Sequence, residues 1–397
     1  MFFLNTRILI LASLTALAPF AIDTYLPAFH IMESELNTNS KFIQQTLTFY
    51  LVPYTLMTLF HGAISDSIGR IKTIKFGLFL FIIGSVGCAL STSIEMLWFS
   101  RLLQGVGGGA GNVVARAMVR DLYSGPTAQK VMATIQIIFG IAPAIAPMVG
   151  GVLLGFGWQS IFVFLMFYAI IISFFSVKYL PETINSENRL SFSFLGIFTR
   201  YKNLLADKNY IFLILAVSFN FSAFFLYVLA SPIFLINHLN LNASQFGFLF
   251  VPTVTGMIMG SMISKKTAGI ISPEKMLKFS YAWMFVISFA NLIFCTFFET
   301  LVWLNILFIA LYNIGMASAM PLISIKALDC FPKTRGTAAS GQAFSQMLVS
   351  SIVAGIIVPI TWSSTGTLAL GMFMIFLLGL FSIIKTLAWR EKNLFLD

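Results

Sequence analysis

The sequence predicts an all-α polytopic membrane protein with twelve transmembrane helices in two six-helix bundles and both termini in the cytoplasm. Three observations lead to this prediction. Hydrophobic residues make up 58% of the 397 residues and charged residues only 10%, whereas a soluble domain has about 25% charged residues. Polar breaks divide the chain into twelve apolar segments. The basic residues fall almost entirely on one side of these segments.

Each apolar segment is long enough for a membrane-spanning helix, which needs about 20 residues. The predicted spans are Ile8–Phe29, Phe42–Ser65, Thr73–Thr92, Met96–Val119, Thr127–Phe156, Ser160–Leu180, Tyr210–Ile236, Ser244–Ser264, Pro273–Phe297, Leu301–Ala327, Gly336–Ile360 and Thr365–Ala388. The longest polar interruption follows the sixth span. It predicts an N-terminal bundle over 1–180, a cytoplasmic linker over 181–209 and a C-terminal bundle over 210–397. Within the linker, Leu190–Leu205 mixes apolar and basic residues, as an interfacial amphipathic helix does.

Charge sets the expected orientation. Of the 24 Lys and Arg residues, only Lys41 and Arg101 fall away from the side that holds the others. Because basic residues keep loops in the cytoplasm, this side is predicted to be cytoplasmic. The net charge of +10 then reflects membrane orientation, and no nucleic-acid partner is expected. The composition excludes a soluble enzyme, a disordered chain and a disulfide-stapled secreted domain. Cys88, Cys295 and Cys330 form no CxxC pair, so no metal site is expected.

A signature loop joins the second and third spans. It reads Gly62-Ala-Ile-Ser-Asp66-Ser-Ile-Gly69-Arg70-Ile-Lys72. Gly62 permits close helix approach and Gly69 a tight turn, while Asp66 suits a helix N-terminus or an arginine partner. The loop resembles the signature of the major facilitator superfamily in form and place. This resemblance implies the major facilitator fold, with two bundles that rock around a central site.

A second motif lies in the fifth span, Gly140-Ile-Ala-Pro143-Ala-Ile-Ala-Pro147-Met-Val-Gly150-Gly151. Small residues at three- and four-residue steps predict a smooth face for close helix packing. Two prolines one turn apart predict a bend. The spacing resembles the motif associated with proton-coupled antiporters, which favours exchange over uptake.

Two charged residues are predicted to lie inside the membrane. Arg101, in the fourth span, lies roughly 9 Å from the outer end, and Asp23, in the first span, lies at a similar depth. We expect them to pair, because charged groups in membranes usually have partners. Two alternatives stay open: a permanent ion pair that does not titrate, and an arginine that snorkels to the surface. The glycines after Arg101 are expected to thin the helix and help form a cavity.

The strings around these residues are APFAIDTYLP, RLLQGVGGGAG and the proline motif of the fifth span. Together they resemble the Bcr/CflA subgroup of drug–proton antiporters. The resemblance implies roles in proton coupling and substrate binding for Asp23 and Arg101. Separately, the signature loop is expected to form a cytoplasmic gate from Gly62, Asp66, Gly69 and Arg70, with Arg120 from the loop after the fourth span. The second half departs from this pattern, because Ser264 stands where the first half has Asp66.

The resemblance implies a substrate cavity between the bundles, near the bilayer midplane. Polar and aromatic residues deep in the spans are the candidates: Tyr25, Tyr50, Tyr54, Gln104, Asn112, Gln136, Asn220, Phe224, Tyr227, Tyr312, Asn313, Gln342 and Gln346. For each, interhelical packing is the alternative, since polar side chains also join helices.

The predicted function is proton-coupled export of small, partly apolar organic compounds by alternating access, as in multidrug efflux. A multi-pass protein of a bacterial inner membrane is expected, with protons, the substrate and lipid as partners. It should be monomeric and need no cofactor beyond the proton gradient. The alternatives are an exporter of one metabolite or siderophore, a proton-linked importer on the same fold, and a polytopic membrane enzyme. The last would need a catalytic cluster, and only Asp23 and Arg101 stand out.

Overall fold

The computed structural model describes residues 6–184, 193–231, 233–241, 247–298 and 301–394, and the secondary structure of these residues is helical apart from one isolated bridge. The α-helices, numbered in chain order, are α1 Thr6–Asp23, α2 Phe29–Glu35, α3 Ser40–Ile68, α4 Arg70–Ala89, α5 Ile94–Leu122, α6 Gly125–Leu153, α7 Gln159–Tyr179, α8 Phe194–Ala206, α9 Lys208–Leu229, α10 Gly247–Thr267, α11 Pro273–Phe297, α12 Val302–Asp329, α13 Arg335–Ile352, α14 Val358–Thr361 and α15 Thr365–Leu394. Short 3-10 helices occur at Leu26–Ala28 and Leu154–Phe156, and π-helices at Ile233–His238 and Val353–Ile357.

Local chemistry explains where several helices begin. The side chains of Asn39, Ser93, Asp207 and Ser272 each accept a hydrogen bond from a backbone N–H in the first turn of the following helix. Such caps satisfy donors that have no partner within the helix. Pro273 follows its cap at the first helical position, where its missing N–H has no effect.

Ten helices of the described residues are long and apolar enough to cross a membrane, with Thr6–Glu35 and Arg335–Thr361 each counted as one span. Helix α6, which bends by 43° after Pro143, would be an eleventh. Helix α5 has 29 residues, enough length at about 1.5 Å per residue, but it carries Glu95, Arg101 and Arg116. The predicted span that starts at Ser244 begins outside the described residues. The predicted amphipathic segment that starts at Leu190 does so too. The total of twelve spans stays a prediction.

The chain forms two compact units. The first comprises the described residues of Met1–Tyr123, Ile138–Tyr201 and Lys333–Gly341. Helix α5 is at its centre and packs against α1, α3 and α4. The second comprises the described residues of Ser124–Ile137, Lys202–Pro332 and Gln342–Asp397. There α12 packs against α9, α10 and α11, while α15 packs against α9 and α11.

The units exchange the starts of two helices. The first residues of α13 belong to the first unit, although the rest of that helix lies in the second. Conversely, the first residues of α6 belong to the second unit. The domain boundaries expected from the sequence, 1–180 and 210–397, describe contiguous halves and do not include this exchange; they stay a prediction.

The glycines of α5 allow neighbouring backbones to come close. A Cβ at Gly105 would lie 2.3 Å from the carbonyl oxygen of Tyr50 in α3, and one at Gly107 would lie 2.2 Å from that of Gly77 in α4. A Cβ at Gly111 would lie 2.9 Å from the Leu14 carbonyl oxygen of α1. The expectation that these glycines open a cavity is wrong at these positions, because adjacent helices occupy the space.

We predict that Gly107→Ala destabilises the protein by about 1–3 kcal/mol, because the new methyl group overlaps the Gly77 carbonyl. Gly151→Ala is the matched control. A Cβ there meets nothing within 4 Å, and alanine favours a helix by about 0.5–1 kcal/mol over glycine. Thermal unfolding of the purified variants should therefore shift in opposite directions. Equal melting temperatures for both variants would contradict the assigned packing.

Candidate functional site: a charged cluster in the first unit

Asp23 lies at a break in the first membrane segment. Helix α1 ends at this residue, and the chain continues through a 3-10 turn at Leu26–Ala28 into α2, which ends at Glu35. The first membrane segment is therefore not one continuous helix, and the expected depth of Asp23 in the membrane stays a prediction. Asp23 is partly buried in mid-segment. Discontinuous helices are where membrane transporters place binding groups, since the interrupted backbone exposes polar atoms there.

Arg101 is fully buried near this break. Its guanidinium lies over the rings of Tyr25 and Tyr50, each with the Cζ atom 4.4 Å from the ring centroid. Nη1 donates to the Ala21 carbonyl oxygen at 3.1 Å and to Gln104 Oε1 at 2.8 Å. The snorkelling alternative is excluded, because Arg101 has 0% exposure. Cation–π contacts away from water contribute about 2 kcal/mol each, so the cation is firmly held.

The expected direct pair between Asp23 and Arg101 is not formed. Among the described residues, the Asp23 side chain makes neither a hydrogen bond nor a salt bridge. Arg101 instead contacts backbone carbonyls, Gln104 and two aromatic rings. The permanent ion pair is therefore absent from this conformation. One nitrogen of Arg101, Nη2, is buried with no partner in the described structure. The unpaired Asp23 carboxylate and the unused Arg101 Nη2 donor thus belong to two helices that pack together, α1 and α5.

Asp66 binds the start of α13. Its carboxylate accepts hydrogen bonds from the backbone N–H groups of Gly336 at 3.0 Å and Thr337 at 2.8 Å, and from the Thr337 hydroxyl at 2.7 Å. It also pairs with Arg70 Nη1 at 2.7 Å. A helix start has unpaired N–H donors and a partial positive charge. The buried carboxylate therefore caps this helix in charge as well as hydrogen bonding.

Arg70 connects Asp66 to a second carboxylate. Its Nε donates to Asp121 Oδ2 at 3.0 Å, and Arg335 Nη1 contacts the other oxygen of Asp121 at 3.2 Å. The Thr183 hydroxyl also donates to Asp121, at 2.9 Å. Asp121 thus balances two arginines from different helices. The neighbouring Arg120, which we expected in this cluster, donates to the Tyr123 carbonyl oxygen at 2.9 Å, and its place in the gate stays a prediction.

The glycines of the signature loop allow these contacts. A Cβ at Gly62 would lie 1.8 Å from the Gly336 carbonyl oxygen, so α3 and the start of α13 meet backbone to backbone. Gly62 N–H also donates to Ser340 Oγ at 2.8 Å. Gly69 has φ +105°, a conformation that side chains other than glycine rarely adopt. This turn lets α4 begin directly after α3.

Residues from the linker support the same cluster. Glu182 accepts hydrogen bonds from the backbone N–H groups of Arg70 and Ile71, at 2.9 and 3.2 Å, and so caps α4. Arg200 of α8 donates to the Ala63 carbonyl oxygen at 3.3 Å. The Tyr201 hydroxyl donates to the Leu59 carbonyl oxygen. Burial raises the pKa of Tyr201 above its usual value, so this hydroxyl stays protonated and available as a donor.

The proline motif of α6 contributes one close contact. A Cβ at Gly150 would lie 1.7 Å from the carbonyl oxygen of Thr24, directly after Asp23. Gly140 is buried, and Pro143 and Pro147 are half-buried. Gly151 is exposed and faces open space. The close approach therefore occurs at Gly150, and the smooth face predicted to include Gly151 does not extend to it within the first unit.

The cavity candidates of the first unit form hydrogen bonds between helices. The Tyr25 hydroxyl contacts Thr46 Oγ1 at 3.1 Å, and Asn112 donates to the Tyr54 hydroxyl at 3.2 Å. Gln104 donates to Ser85 Oγ at 2.7 Å. The Tyr50 hydroxyl and Asn112 Oδ1 are buried without a partner in the described structure. These two atoms retain hydrogen-bonding capacity for another molecule.

The candidates of the second unit also join helices. Asn220 donates to the Tyr281 hydroxyl at 2.6 Å and accepts at its backbone carbonyl from Tyr312 at 3.3 Å. The remaining contacts are Asn291 to Tyr227 at 3.1 Å, Asn313 to the Thr253 carbonyl at 3.2 Å and Gln342 to Ser324 at 2.8 Å. Phe224 and Gln346 are buried, and Gln136 is half-buried. Packing thus accounts for many of these side chains, while their place in a cavity stays a prediction.

The family model of the Major Facilitator Superfamily matches residues 11–355 of the sequence. This chain belongs to the Major Facilitator Superfamily. It is 28% identical to the bicyclomycin resistance protein homolog of Haemophilus influenzae over 96% of this chain and 94% of that protein. It is 25% identical to multidrug resistance protein D of Escherichia coli over 94% of this chain and 93% of that protein.

A solved transporter structure has the same fold. A bacterial homologue of the iron transporter ferroportin, in an outward-facing state, superposes with a TM-score of 0.77. The match covers 97% of this chain and 99% of that chain, with 14% sequence identity. The superfamily and its fold, which were expected from the signature loop, are confirmed. Both are those of transporters.

Several residues of this facilitator's charged cluster were not found from the sequence. They are Asp121, Glu182, Thr183, Arg335, Gly336, Thr337 and Ser340. Asp121 directly follows Arg120 near the end of α5. Its charge could have suggested from the sequence that Asp121 is a partner for Arg70. The others lie far from the loop in sequence, and only the fold brings them to it.

We predict that Asp121→Asn destabilises the first unit by about 3 kcal/mol, because Arg70 and Arg335 lose the charge that balances them. The matched control is Asp207→Asn, where the side chain caps α9 through Tyr210 N–H and asparagine caps equally well. Thermal unfolding in detergent would measure both. A control-like melting temperature for Asp121→Asn would show that the two arginines do not depend on this carboxylate.

Proposed function

We propose that this facilitator exports small, partly apolar organic compounds in exchange for protons, by alternating access. The relatives support the substrate class, since one is named for bicyclomycin resistance and another for multidrug resistance. Aromatic side chains and partnerless polar atoms, such as the Tyr50 hydroxyl and Asn112 Oδ1, suit ligands of mixed polarity. The proton gradient would be the only energy source, with no cofactor.

The observation that carries the coupling proposal is the unpaired Asp23 at a helix break, two residues from Ala21 and from Tyr25, which both contact the Arg101 guanidinium. Arg101 is held in place by Tyr25, Tyr50 and the Ala21 carbonyl, so its charge does not move away when Asp23 changes state. A deprotonated Asp23 would be drawn toward the free Nη2 of Arg101, while a protonated one would not. Substrate and proton would then compete for the same carboxylate, as exchange requires.

The proposed gate is the capped start of α13. In this conformation, the first residues of α13 belong to the first unit through Asp66. Opening toward the cytoplasm would require these residues to leave that carboxylate. We assign Gly62, Gly69, Arg70 and Asp121 to the gate, with Arg120 at its edge. Alternating access needs such a two-state contact, because rigid bundles must separate at one side while they close at the other.

The proposed topology has twelve spans, with α5 counted as a span, and places both termini in the cytoplasm of a bacterial inner membrane. It follows from the segregation of basic residues. On this topology, the Asp66 cluster is cytoplasmic and the break at Asp23 lies toward the opposite side. The protein is proposed to act as a monomer.

For coupling, we predict that Asp23→Asn abolishes proton-driven export, because the amide cannot bind and release a proton. The measurement uses sealed proteoliposomes with a ratiometric pH dye and a panel of compounds that contains bicyclomycin. Glu95→Gln is the control, since its carboxylate is exposed in the first turn of α5, and it should export normally. Full proton-driven export by Asp23→Asn would refute the coupling role, and uptake by the unaltered protein would refute export.

For the gate, we predict that Asp66→Ala exposes the cytoplasmic side. A single reporter cysteine at Asn112, in a chain whose three native cysteines are replaced by serine, should react at least about tenfold faster with a cytoplasmic thiol reagent. Tenfold corresponds to about 1.4 kcal/mol, less than the loss of a buried charge partner. Glu95→Ala, which removes an exposed carboxylate in the first turn of α5, is the control. Unchanged labelling in Asp66→Ala would refute the gate.

A further inference from the structure

An apolar groove runs along the surface of the second unit between α11 and α15. It has a volume of about 370 Å³. Its lining consists of Leu277, Lys278, Tyr281, Ala282, Phe285, Val286, Leu380, Ile383 and Ile384. Except for Lys278, the lining offers aliphatic and aromatic surface. The groove is separate from the Asp23 and Asp66 sites, which belong to the first unit.

Side-chain size explains the groove. Ala282 is small and lies between larger neighbours on α11, while Leu380 and Ile384 form part of the opposite wall on α15. Tyr281 is 4% exposed, and its hydroxyl accepts a hydrogen bond from Asn220 Nδ2 at 2.6 Å. That polar atom is therefore engaged within the unit, which leaves the ring to line the groove. A narrow apolar channel between helices fits a single acyl chain.

One end of the groove carries positive charge. Lys278 lines it directly, and Lys275 precedes it by one helical turn on the same face. Lys385 follows Ile384 on α15, with its ammonium 5.3 Å from the Phe381 ring centroid. All three lysines are exposed. Under the topology proposed above, this end lies at the cytoplasmic boundary, where long basic side chains reach the headgroup region.

We propose that this groove binds an anionic phospholipid, with one acyl chain along α11 and α15 and the phosphate held by Lys278 and its neighbouring lysines. An apolar groove that ends in cations is complementary to a lipid whose apolar chain ends in an anion. Basic pockets between membrane helices on the cytoplasmic side bind lipid headgroups in this way. The inference rests on the proposed topology and does not depend on substrate or proton coupling.

The test titrates the purified full-length protein with phosphatidylglycerol or phosphatidylcholine of identical acyl chains and counts retained lipid by native mass spectrometry. Phosphatidylglycerol should be retained in preference to phosphatidylcholine. Lys278→Gln should weaken its retention about fivefold, since a lysine near a membrane surface contributes that much to binding an anionic lipid. Lys75→Gln is the matched control, because Lys75 is exposed at the same distance from the start of α4, and it should leave retention unchanged.

A second variant tests the acyl chain. Ala282→Phe fills the groove from its lipid-facing side and should reduce retention of phosphatidylglycerol, with the melting temperature measured in parallel to confirm folding. Equal retention of both lipids, or an equal loss in Lys278→Gln and Lys75→Gln, would overturn the proposal. So would unchanged retention in a folded Ala282→Phe variant. Displacement of the lipid by glycerol phosphate alone would also overturn it, since a headgroup site would then need no groove.

Discussion

The arrangement of the first unit depends on one interaction, between the Asp66 carboxylate and the backbone N–H groups at the start of α13. A buried carboxylate is tolerated only where donors and positive charge surround it. Gly336, Thr337 and Arg70 supply both. The contact explains why Gly62 and Gly336 carry no side chains, since their backbones must meet. It also explains Asp121, which neutralises the second face of Arg70.

The second charged site works differently, because its cation is held without a carboxylate. Arg101 is stabilised by two aromatic rings, by carbonyl oxygens and by Gln104. Its position therefore does not depend on the state of Asp23. The first unit thus contains Asp66, whose carboxylate is engaged by several donors, and Asp23, whose carboxylate has no partner among the described residues. In the proposed mechanism, this division would separate a structural charge from one that responds to a proton.

Much of the fold could be predicted from the sequence, because the bilayer demands long apolar helices that hydropathy detects. The signature loop identified the superfamily and Asp66. Two kinds of information were out of reach. Helix α1 ends at Asp23 and a 3-10 turn that contains Pro27 follows. Hydropathy does not detect such a break within an apolar segment. The partners of Asp66 and Arg70 are separated from them by long stretches of chain. The similar predicted depths of Asp23 and Arg101 suggested that the two residues pair. The Arg101 guanidinium instead contacts two aromatic rings.

The starts of α13 and α6 are each held in place, but by contacts of unequal strength. At one, α13 is held by a buried anion and its ion-pair network. At the other, Gln129 near the start of α6 donates to the carbonyl and hydroxyl oxygens of Ser264, at 2.9 and 3.2 Å, with no charge involved. A neutral contact of this kind is weaker than a charge-assisted one. The start of α6 is therefore held less firmly than the start of α13, each within its own unit.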